Sequence, residues 1–292
     1  MERPNNPIMD RQIGLSMKAL DHGFVRLVDY MGDDAAICQA ARVSYGTGTK
    51  STSEDRGLIR YLMSHRHTTP FEMCEIKLHV KLPIFVARQW IRHRTANVNE
   101  YSARYSILDR EFYFPEVGDI AKQSQSNKQG RELDLDDLCA EEVRAIIMHD
   151  SNRAYDSYEE LVDEDGFGLA RELARMVLPT NIYTQWYWKV DLHNLLHFLS
   201  LRADPHAQME IRVYAELICD LVRQWCPQAF EAFEDYVMNA ERFSRMEMEI
   251  VRALAEKAAV GTAPNFMRDL TSLGDLNLRE QREFLAKLGV SE

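Results

Sequence analysis

The chain has 292 residues, 46% of them hydrophobic, so it can form one large domain or two of ordinary size around a substantial core. A formal charge of −11 and an isoelectric point near 5.4 argue against a general nucleic-acid binder or a protein of anionic membranes. The five cysteines form no C-x-x-C pair, so we expect reduced thiols in the cytoplasm. Residues 1–14 lack the apolar core of a signal peptide, and no apolar run approaches the roughly 20 residues that span a bilayer.

The first half of the chain alternates between strand-like and helix-like hydrophobic patterns. These patterns predict, in order, a strand at 23–30, helices at 34–42 and 53–64, a strand at 76–82 and a helix from 83 to 91. Pro83 is expected at the first position of that last helix, because its missing N–H would be unpaired there anyway. Arg88 and Arg92 lie four residues apart, so we expect both on one face of this helix.

The second half is predicted to be mainly helical. The patterns indicate a short strand at 111–115, an exposed insertion of low order at 118–140, helices at 141–163 and 169–178, a strand at 183–190, helices at 192–201 and 206–225, another helix opened by Pro227, and surface helices at 242–258 and 276–288. About four strands and seven or more helices in irregular order predict an α+β protein rather than a doubly wound parallel sheet.

Residues 92–105 hold the densest polar cluster of the chain. They include three arginines, a histidine, a glutamate, two asparagines, a serine and two tyrosines. Between residues 88 and 110 there are five arginines and two acidic side chains, so this region is basic within an acidic protein. A helix C-terminus attracts one or two cations, but it does not explain the polar run that follows, which is typical of a ligand-lining loop. Because guanidinium groups bind phosphate in bidentate fashion, we expect a small phosphorylated ligand.

Several single residues allow more than one interpretation. His193 and His197 lie four apart on a predicted helix and could share a metal with His206, but without an H-E-x-x-H pattern a capped or stacked histidine is favoured. Ser102 could be an activated nucleophile, yet the chain has no G-x-S-x-G elbow, so hydrogen bonding to phosphate is favoured. Arg202 ends an apolar helix, and from the pattern alone a surface role and a ligand role are equally supported.

Arg92-His93-Arg94 is followed after seven residues by Ser102. Six segments of the chain, in order, accompany this motif: 41–44, 67–72, 83–90, 99–105, 174–179 and 201–208. Motif and segments together resemble the flavin-dependent thymidylate synthases over about residues 23–236. The resemblance implies a single domain at 15–240 with a central, mostly antiparallel sheet flanked by helices. Residues 241–292 would then form a helical C-terminal extension that is not an independent domain.

The same resemblance implies an enzyme that converts dUMP to dTMP by reductive methylation. 5,10-Methylenetetrahydrofolate would be the carbon donor, and NADPH would reduce a tightly bound FAD. The active sites of a homotetramer would lie at subunit interfaces, and neither nucleic acid nor membrane would be a partner. Since the hydride would come from the flavin, no cysteine would be needed to activate the pyrimidine.

Matching motifs also carry over site residues. The resemblance implies that FAD contacts Ser44, His67, Thr69, Arg92, His93, Arg94, Glu100, Asp191, His193 and His197. It implies that dUMP contacts Gln89, Arg92, Glu100, Tyr101, Ser102, Ala103, Arg104, Arg175 and Arg202. Arg202 would be catalytic, holding the uracil ring and stabilising its N3-ionised form, a task suited to a cation that does not lose its proton. No metal is expected.

Two other functional classes use the same residues. A nucleotide-binding regulator would employ the arginine cluster without catalysis, and a metallohydrolase would employ the histidines. The insertion at 118–140 and the chain beyond about 240 lie outside the resemblance, so it implies no role for them.

Overall fold

The computed structural model describes residues 6–43, 52–125, 130–259 and 278–288. The chain divides into two compact units, Met1–Met238 and Asn239–Glu292. Within the described ranges, no helix combines the length and the apolar character needed to cross a membrane.

The first unit is built on a sheet. Its described strands are β1 (Ser16–Ala19), β2 (Gly23–Met31), β3 (Glu75–Pro83), β4 (Asn97–Glu100), β5 (Ala121–Gln123), β6 (Arg131–Asp134) and β7 (Tyr183–Asp191). Five of these form one sheet in the order β1-β2-β3-β7-β4, and every pairing between neighbours is antiparallel. The predicted α+β class with a central antiparallel sheet is confirmed, as are the strands predicted at 23–30, 76–82 and 183–190.

The described part of the first unit also contains ten α-helices. They are α1 (Pro7–Gln12), α2 (Asp34–Arg42), α3 (Thr52–Ser64), α4 (Thr69–Glu72), α5 (Ile84–Trp90), α6 (Asp137–Val162), α7 (Arg171–Ala174), α8 (Leu192–Arg202), α9 (Met209–Trp225) and α10 (Pro227–Phe233). Helix α2 begins where Asp33 caps it, with Oδ1 accepting the backbone N–H of Ala36 at 2.9 Å. The helices predicted at 34–42, 53–64, 192–201 and 206–225 are confirmed, with the last beginning at Met209.

The core lies on one face of the sheet. In β3 the apolar side chains of Ile76, Leu78, Val80 and Leu82 alternate with polar ones, and all four are buried. Leu78 pairs with Trp188 of β7. Against this layer packs Trp90 of α5, whose ring centroid lies 5.1 Å from that of Trp188 and 4.5 Å from that of Phe198 on α8. The end of α5 is therefore anchored between the sheet and α8.

The start and the end of α5 differ from prediction. Pro83 is the last residue of β3 and precedes the helix in an extended conformation (φ −64°, ψ 146°), because it pairs with Tyr183 in the sheet. The helix ends at Trp90, and Arg92 lies in the turn beyond it. Arg88 and Arg92 therefore do not share a helical face, and that prediction is wrong.

Two further predicted elements are replaced by irregular structure. The strand predicted at 111–115 is a single bridge between Phe112 and Ile182, because the backbone N–H of Phe114 bonds to Asp21 instead of to a strand. The helix predicted at 169–178 is reduced to the four residues of α7 and a 3₁₀ turn at Arg175–Val177. Proline disfavours helical geometry in the residue before it, so Pro179 keeps Leu178 extended.

The predicted insertion of low order at 118–140 contains regular structure. Strands β5 and β6 pair antiparallel, with Ala121 opposite Asp134, and residues 126–129 lie outside the described part. Helix α6 begins at Asp137, earlier than the pattern indicates, because Asp136 caps it by accepting the N–H of Cys139 at 3.0 Å. The prediction of low order is therefore wrong for the described residues of this segment.

The second unit contains α11 (Arg245–Ala259) and α12 (Leu278–Lys287), in agreement with the helices predicted at 242–258 and 276–288. Ile250, Phe284 and Leu285 form its small buried cluster, and Lys287 pairs with the buried Glu247 at 2.6 Å. That this extension does not fold independently stays a prediction.

Candidate active site

The motif Arg92-His93-Arg94 lies in the turn that follows α5, which ends at the buried Trp90. Trp90 is fully buried, and the backbone N–H of His93 bonds to the carbonyl of Trp90 at 3.0 Å. Arg92 and Arg94, on either side of His93, are exposed. The buried Trp90 therefore anchors the turn from which the side chains of Arg92 and Arg94 extend to the surface.

A cavity of about 330 Å³, here called the arginine cavity, opens beside this turn. It is formed by the turn after α5, one face of β7 and one face of α8. Its lining residues are Arg92, His93, Arg94, Thr95, Trp188, Val190, Asn194, His197, Leu201 and Arg202. Trp188, Val190 and Leu201 give it apolar surface, and the polar groups stand around them. The structure thereby brings together five of the predicted site residues, Arg92, His93, Arg94, His197 and Arg202.

His93 is held as a neutral imidazole. Arg202 donates a hydrogen bond from Nε to Nε2 of His93 at 3.2 Å, so this nitrogen must be an acceptor and the ring proton resides on Nδ1. Burial, and then the charges of Arg202 and His197, lower the pKa of His93 to about 4. Burial also lowers the pKa of Arg202, but a guanidinium keeps its proton at neutral pH. The pair therefore carries one fixed positive charge.

The described residues do not neutralise the positive charge of this cavity. Among the described residues, no carboxylate lines the arginine cavity, and neither Arg92 nor Arg94 has a side-chain partner. Arg202 is half-buried and bonds to the neutral His93. Three cations around an apolar surface, in an acidic protein, favour an anionic ligand with a planar apolar part.

A second cavity of about 290 Å³, here called the serine cavity, lies where β4 ends. Its lining residues are Ile84, Glu100, Tyr101, Ser102, Ala103, Leu108, Arg175, Leu178 and Thr184. Thr184 Oγ1 donates to Glu100 Oε1 at 2.9 Å, and the backbone N–H of Tyr101 bonds to Gln185 at 2.8 Å. These bonds tie the cavity wall to β7. Five residues predicted to bind dUMP, namely Glu100, Tyr101, Ser102, Ala103 and Arg175, therefore meet here.

Two residues predicted to bind dUMP lie outside these linings. Arg104 is exposed and pairs with Glu172 at 3.5 Å, a weak surface contact. Gln89 on α5 donates from Nε2 to Oε1 of Gln208. Their roles toward dUMP stay predictions.

A third cavity of about 880 Å³, here called the histidine cavity, lies between α2, α3 and α4. It is lined by Ala36, Gln39, Ala40, Ala41, Val43, Leu58, Tyr61, Leu62, His67, Thr69, Pro70 and Met73. His67 and Thr69, both predicted to contact the flavin, meet here, and their cavity shares no lining residue with the other two. Ser44, also predicted to contact the flavin, lies outside the described residues.

The remaining predicted contacts lie at the start of α8. Asp191 caps this helix, because its carboxylate accepts the backbone N–H of Asn194 at 2.9 Å and the side-chain amide of Asn194 at 2.7 Å. His193 lines none of the three cavities. The carboxylate of Asp191 therefore stabilises the start of α8. The flavin contacts of Asp191 and His193 stay predictions.

Sequence reasoning missed several lining residues. Asn194, His197 and Leu201 are spaced three and four apart, as expected for one helical face, so this spacing could have identified Asn194. Trp188 and Val190 alternate on one face of β7 and could have been found from strand periodicity. Thr184 is distant in sequence from Ser102, and Leu108 lies in the irregular segment that follows Ser102, so no periodic pattern indicates either residue.

The histidines do not form a metal site in the part of the chain that the structure describes. No three histidine, cysteine, aspartate or glutamate side chains come together there. His206 is exposed and contacts Asp204 at 3.0 Å, while the ring of His197 lies 5.6 Å from that of His93. The geometry gives no support to the metallohydrolase interpretation.

Comparison with known proteins identifies the family. The sequence model of the thymidylate synthase complementing proteins matches residues 26–228. A flavin-dependent thymidylate synthase from Ruegeria pomeroyi is 60% identical over 285 residues, which cover 97% of this chain and 91% of that protein. The chain belongs to the flavin-dependent thymidylate synthases. A second flavin-dependent thymidylate synthase, from Gluconobacter oxydans, is 61% identical over 86% of this chain and 82% of its own length.

Solved structures agree with this assignment. A UMP/dUMP methylase, PolB from Streptomyces cacaoi, superposes with a TM-score of 0.68 at 33% identity, covering 76% of this chain and 99% of that one. That structure contains 5-Br dUMP, and a second structure of the same methylase contains 5-Br UMP. The five-stranded sheet, whose strand β7 lines part of the arginine and serine cavities, therefore belongs to the fold of the flavin-dependent thymidylate synthase family.

Proposed function

We propose that this chain is a thymidylate synthase that converts dUMP to dTMP by reductive methylation. 5,10-Methylenetetrahydrofolate would be the carbon donor and NADPH the reductant of bound FAD. The family and its named relatives support the reaction, and the bound nucleotide analogue of PolB supports dUMP as substrate. The observation that carries the proposal is the set of Arg92, Arg94 and Arg202 around an apolar surface that no carboxylate of the described residues lines. When bound and reduced by NADPH, the flavin would supply the hydride for the reductive methylation.

The arginine cavity fits part of a flavin cofactor. Its apolar surface suits an aromatic ring. The guanidinium groups of Arg92 and Arg94, which have no side-chain partner among the described residues, suit the two phosphates of a dinucleotide. At about 330 Å³ it is near the lower end of ligand-site volumes, so a dinucleotide must extend beyond it. We expect His67 and Thr69 of the histidine cavity to supply further contacts, with Glu100, His193 and His197.

The serine cavity fits a nucleoside monophosphate. Ser102 offers a hydroxyl and Arg175 an exposed guanidinium to the phosphate, and Ile84, Leu108 and Leu178 offer apolar contacts to the sugar and base. Gln89, Tyr101 and Arg104 are proposed as further contacts from the same part of the chain. In this arrangement Ser102 binds the substrate and does not act as a nucleophile.

Arg202 is the proposed catalytic residue. Its Nε is committed to His93, so the terminal guanidinium nitrogens remain for the ligand. A half-buried, permanently charged group stabilises a uracil ring that has lost its N3 proton more strongly than a group in water would. The neutral His93 contributes by orienting the guanidinium without competing for the negative charge.

The separation of the cavities supports active sites shared between subunits of a homotetramer. The arginine and serine cavities of one chain have no lining residue in common. Near the serine cavity, Tyr105 and Met176 are both 74% exposed, and Leu173, Val177 and Ile107 are exposed as well. Apolar surface of this kind marks interaction sites. The five free thiols fit a reducing compartment such as the cytoplasm.

The decisive experiment is spectroscopic and enzymatic. Purified protein should show the absorbance of oxidised flavin, which NADPH should bleach. NADPH oxidation should then depend on dUMP and methylenetetrahydrofolate, and tritium should be released from dUMP labelled at C5. A colourless protein that binds no added FAD would contradict the proposal. A nucleotide-binding regulator would bind dUMP without tritium release.

A further inference from the structure

A chain of polar side chains connects the insertion hairpin with α5. Arg131 of β6 pairs with Glu210 of α9, Glu210 accepts a hydrogen bond from Gln208, and Gln208 accepts one from Gln89. The first and last members are 42 residues apart in the sequence. We call this set of four residues the glutamine relay. None of these contacts depends on the residues outside the described ranges.

Glu210 is the centre of the relay. It is 2% exposed, and both oxygens of its carboxylate are occupied: Oε1 accepts from Arg131 and from the hydroxyl of Tyr113 at 3.2 Å, and Oε2 accepts from Gln208 Nε2 at 2.8 Å. Burial favours the neutral acid and raises the pKa of Glu210, but the bonds from Arg131 and Gln208 outweigh burial and bring the pKa below its ordinary value. Glu210 is therefore a carboxylate, and Arg131 supplies its counter-charge.

The carboxylate of Glu210 fixes the donor and the acceptor in the two hydrogen bonds that link it, through Gln208, to Gln89. An ionised carboxylate can only accept hydrogen bonds, so Gln208 must present its NH₂ group to Glu210. The carbonyl of Gln208 then points to Gln89, which must in turn donate from Nε2. The carbonyl oxygen of Gln89 is thereby left on the side away from Gln208. An amide flip at either glutamine would place two donors or two acceptors against each other, at a cost comparable to a lost hydrogen bond.

We propose that Arg131 and Glu210 are positioning residues that fix the amide of Gln89 so that its carbonyl oxygen accepts a hydrogen bond from the nucleotide. This inference rests on the proposed function, in which Gln89 contacts dUMP. The bonding partner on the nucleotide is a donor such as the sugar hydroxyl, because a carbonyl oxygen repels phosphate oxygens. The insertion at 118–140 acquires a role through Arg131: it neutralises a buried acid that orients a substrate contact.

The first test reverses and then restores the relay. In Glu210→Gln the amide oxygen still accepts from Arg131, so the amide NH₂ faces Gln208 and Gln208 must present its carbonyl instead of its NH₂. We expect the KM for dUMP to rise roughly tenfold, the loss of about one hydrogen bond, with kcat and FAD content little changed. The double variant Glu210→Gln with Gln208→Glu exchanges the two groups. There a carboxylate at 208 accepts from Gln89, and the amide at 210 donates to it, so we expect KM to return toward the wild-type value.

The second test addresses Arg131 and does not depend on the first. Arg131→Met should raise the KM for dUMP, and Arg131→Lys should rescue most of that change because a cation again faces Glu210. Lys122→Ala, an exposed change on the same hairpin, is the matched control and should leave KM unaltered.

The possible results distinguish a failure of the relay from a failure of the proposed function. Equal KM values for Glu210→Gln and the exchanged double variant would overturn the relay, and so would equal KM values for wild type and Arg131→Met. If Glu210→Gln does not fold, the comparison of Arg131→Met with Arg131→Lys decides in the same way. A wild-type protein that neither binds nor turns over dUMP would contradict the proposed function itself, whatever the variants do.

Discussion

Arg202 at the end of α8 donates from Nε to Nε2 of His93 at 3.2 Å, and this bond joins α8 to the turn that follows α5. Because the arginine donates, the histidine must be neutral, and the cation is held by an uncharged partner. An aspartate in the place of His93 would hold Arg202 equally well but would cancel its charge. The arrangement keeps a fixed positive charge available to a ligand.

Arg202→Ala should abolish turnover while leaving FAD bound, because Arg92, Arg94 and the apolar surface of the arginine cavity remain. Loss of a charge that stabilises the reacting ring should reduce kcat by at least about a hundredfold. Flavin absorbance and tritium release from C5-labelled dUMP measure the two effects separately. Arg153→Ala removes an exposed arginine of α6 and should change neither. Retained turnover in Arg202→Ala would refute the role of this residue.

His93 should make the protein less stable in mild acid. Its pKa is lowered from 6.5 to about 4 in the folded chain, so the unfolded state binds more protons between these values. The contribution of His93 to stability is fully present above about pH 6.5 and is lost as the pH falls toward 4. Urea unfolding of wild type and His93→Phe at pH 7 and pH 4.5 measures this. The variant should lose less stability than wild type over that range, and an equal loss would contradict a neutral His93.

Ser102 and Arg175 should affect substrate affinity and not the chemical step. Loss of a charged hydrogen bond costs about 1.5–3 kcal/mol, so Arg175→Ala should raise the KM for dUMP by roughly 10- to 100-fold. Ser102→Ala should raise KM by less than about tenfold. Arg171→Ala is the matched control, since Arg171 bonds to the carbonyl of Tyr105 and does not line the serine cavity. A fall in kcat by several orders of magnitude in Ser102→Ala would indicate a nucleophile instead.

Asp191 should prove to be a helix cap whether or not it also contacts the flavin. Asp191→Ala should lower the free energy of unfolding by about 1 kcal/mol, whereas Asp191→Ser should retain most of the stability because serine also caps helices. Urea unfolding measures the capping role and FAD titration measures the cofactor role. If both variants bind FAD as tightly as wild type, the predicted flavin contact of Asp191 is wrong.

Met176 should lie in a subunit interface. It is 74% exposed beside the serine cavity, and a lysine there would place a charge within apolar surface. We expect Met176→Lys to dissociate the proposed tetramer in sedimentation velocity experiments. Glu160→Gln, an exposed change on α6 that shifts the net charge in the same direction, should leave the assembly intact. An unchanged sedimentation coefficient in Met176→Lys would exclude this surface from the interface.

Local patterns predicted the elements whose side chains pack in a regular way. Strand β3 follows from the alternation of Ile76 with its apolar neighbours, and α2 follows from the cap at Asp33. The edge strand β4 could not be predicted, because all four of its side chains are exposed and no alternation results. The helix predicted at 169–178 is too long at both ends: Ala170 is not helical, and Pro179 keeps Leu178 extended.

In the candidate site, too, local patterns predict some features and miss those that depend on tertiary packing. The approach of Arg202 to His93 joins residues 109 positions apart, and the bond from Arg131 to Glu210 joins residues 79 positions apart. The hydrophobic periodicity of the sequence predicts neither contact, since both arise from the packing of helices and strands that are far apart in the chain. The family resemblance named His93 and Arg202 as residues of the active site but did not predict their contact. The second lies partly in the insertion, outside the resemblance, and only the structure indicates it.

The arginine and serine cavities of one chain share no lining residue, and this has a genetic consequence in the proposed tetramer. Damage to Arg202 and damage to Arg175 would fall on different subunits of the same composite site. Two inactive alleles of this kind, expressed together, would therefore assemble some sites that escape both lesions. Thymidine-independent growth of such a doubly mutant cell, where neither allele alone suffices, would show that the working unit belongs to the assembly and not to the polypeptide.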